Sequence, residues 1–180
     1  MADVSPEFSR PIPLTRLGRA ALHQHVIADA EERTSLARRF DLLALDRLEA
    51  EVVLTRDGGD VVLTANLEAD LAQACSVTLL PVESRITDRF VLRFRGGIDD
   101  DEADRLTLET PEDEVIEPLM GDAIDIGEAV AQQLAIAMDP YPRAVGAELP
   151  AGDGDADAAF EAAEERPNPF ESLASLKKPG

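Results

Sequence analysis

Cysteine is nearly missing from this chain. Its one copy, Cys75, excludes an internal disulfide and any zinc site built from four cysteines of one molecule. Histidine is almost as scarce. His23 and His25 form an H-x-H pair with no recognisable third ligand, and they read as surface residues ahead of a helix. Tryptophan is absent and aromatics reach only 4%, so the core must come from Leu, Val, Ile and Ala. No apolar run approaches the roughly 18 residues of a membrane-spanning helix. The opening "MADVSPEFSR" lacks the charged-then-apolar order of a secretion signal, and a soluble protein of a reducing compartment is expected.

Basic residues are also few, with 17 Lys and Arg against 37 Asp and Glu, for a net charge of −20. A charge of that sign repels naked nucleic acid, because such binding depends on phosphate neutralisation. A local basic face remains compatible with it. Phosphate-binding loops, dinucleotide fingerprints, nucleophile elbows and zinc-protease helices are missing too. The glycine pairs at Gly58 and Gly96 lack the following lysine or helix. The many acid pairs lie in solvated runs, where nothing shifts a carboxyl pKa for acid/base work. A non-enzymatic protein is the expectation.

What is present is strong patterning. The acidic excess concentrates in residues 99 to 117, with ten acids and only Arg105, and in the tail from Val145, with eight acids. Both read as solvated, mobile segments. "FSRPIPL" suggests a short extended stretch at a sheet edge, since Pro11 and Pro13 cannot donate to a ladder. Asp29 and Glu32 make a capping-box-like start for a helix carrying Leu36, Phe40 and Leu43 at helical spacing. From Leu48 the period becomes two. "LEAEVVLTR" leads through the glycine turn "DGGD" into "VVLTANLEADLAQACSVTL", whose odd positions from Val61 to Leu79 are apolar except Gln73. A bend is expected near Gln73. "RITDRFVLRFR" then places Ile86, Phe90, Leu92 and Phe94 on one face and Arg85, Arg89, Arg93 and Arg95 on the other. Asp125 and Glu128 start a further helix with Ile126, Val130, Leu134 and Ala137 on one face, ended by Pro140 and Pro142. Near the end, Asn168 and Pro169 open a short helix with Phe170, Leu173 and Leu176.

Three features carry functional questions. Cys75 falls in register with Leu71, Val77 and Leu79, as a small apolar core residue on a strand would. The arginine row offers four planar, permanently charged groups to phosphates. Cross-strand pairing with Glu68 and Asp70 is the competing reading, and both stay open. Phe170, Leu173 and Leu176 form a candidate docking motif, for this sheet or for a partner groove.

Together "ACSVTLLPVESRITDRFVLRF", "GDAIDIGEAVAQQLAIAMDPYPR", "RPNPFESLASLK" and "PEFSRPIPL" resemble the YceD-like family, the large ribosomal RNA subunit accumulation proteins. The resemblance implies a role in accumulation of large-subunit ribosomal RNA, or in ribosome assembly, in the cytoplasm of a bacterium. It implies no catalytic residues. Many such proteins carry Cys-x-x-Cys-Leu at this strand. Here Cys75 holds the first position and Thr78 the second, so no metal and no cofactor are expected. The expected partner is ribosomal RNA or a precursor large-subunit particle, reached through Arg85, Arg89, Arg93 and Arg95. The alternative is an acidic module or escort for a basic ribosomal protein, using residues 99 to 117.

The fold class expected is α+β: a largely antiparallel, strongly twisted sheet or partly closed barrel, with helices packed against one face. One domain spans residues 1–145, with an acidic flexible insertion about 98–117. Residues 146–180 make an acidic linker and the short C-terminal helical motif.

Overall fold

The computed structural model describes residues 6–109 and 114–147. The period-two stretch forms three long strands, β3 (Ala44–Asp57), β4 (Asp60–Ala74) and β5 (Pro81–Arg95). The "DGGD" turn joins the first two, with Gly58 at φ 61°, a conformation that costs a residue without Cβ nothing. Before them, β2 (Leu22–Ile27) pairs with β3, and beyond them β6 (Glu114–Pro118) runs parallel to β5. The sheet order is β2-β3-β4-β5-β6, antiparallel except at its last pair, and it does not close. The architecture is α+β, as expected, in its open-sheet rather than its barrel form.

Alternation places one face against the core. Val61, Leu63, Ala65, Leu67, Ala69 and Leu71 of β4 are buried, beside Leu48, Ala50, Val52 and Leu54 of β3 and Phe90 and Leu92 of β5. Each large side chain so buried contributes about 1.5–3 kcal/mol against its exposed state. The bulge lies in β3, between Leu45 and Arg47, and not at Gln73 of β4 as the alternation implied. Gln73 instead donates its side-chain N–H to the Asp139 carbonyl, so its polar group finds a partner without breaking the strand.

Two helices close the core. In α1 (Ala30–Arg39), Asp29 accepts from the N–H groups of Glu31 and Glu32, and Glu32 accepts in return from the Asp29 N–H. Arg38 and Arg39 in the last turn suit the helix dipole. α3 (Ile126–Ala137) buries Ile126, Val130 and Leu134 at helical spacing. Its cap, Asp125, accepts from Gly127 and Glu128, and also from the Ser9 hydroxyl and the Arg10 N–H. Glu128 turns away from the cap to pair with Arg39. β1 (Pro11–Pro13) pairs with β7 (Ala123–Asp125) in a separate two-stranded sheet, which places the two prolines where few donors are needed. A Cβ on Gly127 would lie 2.4 Å from the Phe8 carbonyl oxygen, so glycine here permits the N-terminal segment to cross the helix.

Several expectations change. His23 and His25 lie on β2, a strand that the sequence pattern does not predict, and both are exposed there. β4 ends at Ala74, so Cys75 is not in a strand. Val77 and Leu79 do not continue the buried face, and Leu79 is 77% exposed at φ 61°. The segment from 98 to 117, expected as a flexible insertion, contains α2 (Asp100–Leu108) and β6. Asp99 caps α2 by accepting from the Glu102 N–H, and acids in the first turn favour the helix dipole. Composition alone hid this helix, because one buried residue, Ala103, and one edge strand suffice to hold it. Phe170, Leu173, Leu176 and the linker from residue 148 onward lie outside the described residues.

Candidate nucleic-acid interface

The face of the sheet opposite the core carries the arginine row. Strand alternation directs Arg85, Arg89, Arg93 and Arg95 to this side, while register decides what each meets. Arg85 sits opposite Asp70 and reaches Glu68 at 3.4 Å and Asp70 at 3.5 Å. Arg93 pairs with Glu114 and with Asp57 at 2.8 Å. Arg95 meets Asp60 at 2.7 Å. Hydrogen bonding to Glu114 and Asp57 raises the Arg93 pKa further above its ordinary value. The Arg95 hydrogen bond, before any longer-range charge, holds the Asp60 carboxyl below its usual range.

Arg89 is different. Among the described residues no carboxylate pairs with its side chain, which is exposed. Asn66 lies opposite it on β4, Glu51 opposite Asn66 on β3, and His25 opposite Glu51 on β2. Thr87, two residues along on the same face, is exposed as well. A permanently charged guanidinium, an amide and a hydroxyl thus share a surface that no helix covers. Such groups donate to phosphate oxygens and base edges. The other three arginines already spend donors on carboxylates. Exposed pairs of this kind, as at Arg85, contribute only about 0–1 kcal/mol, so a phosphate can exchange for them.

Cys75 is buried but stands apart from the main core. Its Sγ accepts N–H groups from Ala144 at 3.3 Å, Thr78 at 3.4 Å and Val77 at 3.5 Å. Ser76 N–H donates to the Pro142 carbonyl and Leu79 N–H to the Cys75 carbonyl, tying the turn to the chain beyond α3. Led by the Ala144 N–H and the Thr78 side chain, these donors bring the thiol down to about 6 against the opposing effect of burial. The neighbouring sequence held no cation or helix N-terminus to suggest this. The decisive donor is 69 residues away.

At the second position of the turn Thr78 supplies no thiolate. Among the described residues no group of three or more His, Cys, Asp or Glu side chains is placed to hold an ion. His25 lies 3.8 Å from Glu51 and 4.0 Å from Glu49, as one member of a charged surface rather than of a ligand set.

The family model described as the large ribosomal RNA subunit accumulation protein YceD matches residues 63–177, well over half of the chain. The chain belongs to the YceD family. Membership ties it to accumulation of the large ribosomal RNA subunit. No curated protein and no solved structure matches it. The matched stretch of this YceD chain begins in β4 and takes in Cys75, the arginine strand, α2, β6 and α3. No helix among its described residues is long and apolar enough to cross a membrane.

Proposed function

We propose that this YceD protein supports large-subunit RNA accumulation without catalysis, by binding ribosomal RNA within a precursor particle in the bacterial cytoplasm. The observation that carries the reading is Arg89, an exposed guanidinium with no carboxylate partner among the described residues, beside Asn66 and Thr87 on an open sheet face. Family membership supports the process, and the sheet face supports the mode of action. The net charge of −20 works against long-range attraction to RNA. Recognition therefore depends on short-range contacts to a shaped, partly protein-covered particle.

Titrating large-subunit RNA fragments against the wild type and Arg89→Glu at several salt concentrations tests this. Arg89→Glu should weaken binding about tenfold and make the salt dependence shallower by about one counterion. Equal affinity and equal salt dependence in the two proteins would remove the sheet face from the interface.

A further inference from the structure

α2 lies along the outer edge of β6. The Thr107 Oγ1 accepts the Ile116 N–H at 2.9 Å and donates to the Ile116 carbonyl. It thereby blocks strand addition at that point. Between helix and strand a cleft of about 390 Å³ remains, walled by Ala103, Leu108, Val115 and Pro118 and rimmed by Asp100, Asp104 and Glu117. Two of its apolar walls face water, with Leu108 87% and Val115 41% exposed.

Among the described residues its charges are unmatched. Glu32, Glu49, Asp60, Glu114 and Glu128 each hold an arginine. Among the described residues no cation pairs with Asp100, Asp104 or Glu117. Burial, then repulsion from Asp100 and Asp104, pushes the Glu117 carboxyl above its ordinary value. The three acids are not a group placed to ligate a metal ion.

We infer that this cleft docks a basic segment of a partner protein, with an arginine or lysine among the three carboxylates and an adjoining apolar side chain on Leu108 and Val115. The charge is complementary, and the apolar walls select a peptide over a bare cation. A nucleic acid is repelled by the same three groups. The inference locates the acidic-module reading on one cleft. It is separate from RNA contact at Arg89, so both surfaces can serve one particle or either can fail alone.

A fluorescent peptide of alternating arginine and leucine, titrated into the full chain, tests it. Asp104→Asn combined with Glu117→Gln should weaken binding about tenfold, and Leu108→Ser about threefold. Glu102→Gln, which changes a charge outside the cleft lining, and Arg89→Glu should leave it unchanged. Amide shifts at Thr107 and Val115 on peptide addition would support the site. Removing the two charges relieves repulsion, so the double variant should melt no lower than the wild type. Three results would each overturn the inference: unchanged affinity in the double variant; equal binding of oligoarginine with no effect of Leu108→Ser; or displacement of the peptide by magnesium alone.

Discussion

At the scale of single residues, Cys75 and Gly127 show how distant backbone defines a side chain's role. The Cys75 thiol has a folded pKa of about 6, below the unfolded value near 8.5. A depressed acid pKa adds stability that is complete above the unfolded value and is lost as pH falls through the folded one. Stability should therefore rise between about pH 6 and pH 8.5, and Cys75→Ala should remove that part of the rise. Chemical denaturation at a series of pH values checks it, and an identical slope in the variant contradicts it. Because the sulfur is buried, thiol reagents should label the native protein slowly even where the group is ionised. At Gly127 the Phe8 carbonyl leaves no space for a methyl group. Gly127→Ala should lower stability by about 1–3 kcal/mol, despite alanine's better helix propensity. An unchanged melting temperature would show that the N-terminal segment does not cross there.

At the scale of elements, α2 and β6 depend on each other through Thr107. Thr107→Val keeps the shape but removes both bonds to Ile116. The change should cost about 1–2 kcal/mol of local stability and speed hydrogen exchange at the Ile116 amide. Unaltered exchange would mean that the helix does not guard the edge. This pair also marks where the sequence ceased to be readable. Strands β3 to β5 and the caps at Asp29 and Asp125 were legible, because each declares itself in a local period or a three-residue spacing. β2 was not, since His23, Gln24 and His25 interrupt its apolar signal. The end of β4 was masked because Val77 and Leu79 happen to continue an alternation that the chain abandons at Cys75. Of the site, the arginine face was legible. The distinction between Arg89 and its neighbours was not, since it follows from register with Asn66, Asp70 and Glu114 on other strands.

At the scale of the whole molecule, a YceD chain of strong negative charge sets seven arginines, Arg10, Arg39, Arg47, Arg85, Arg93, Arg95 and Arg105, in a lattice of ion pairs. The carboxyls of Glu32, Glu49 and Asp60, each hydrogen-bonded by an arginine, lie below their usual values. Their stabilisation is present above the unfolded carboxyl pKa, about 4, and fades as pH falls through the lower folded values. Acidification below about pH 4 should thus destabilise the fold, measured by denaturant midpoints, and a flat profile would contradict the lattice. Among the described residues the same lattice leaves Arg89 as the one arginine of its row without a carboxylate, free to leave the sheet and meet a partner. Co-sedimentation with precursor large-subunit particles, wild type beside Arg89→Glu, tests that claim most directly. Wild type is expected in the particle fractions, with about tenfold less Arg89→Glu there and its melting temperature unchanged. Wild type found only with free protein, or both proteins sedimenting alike, would contradict it.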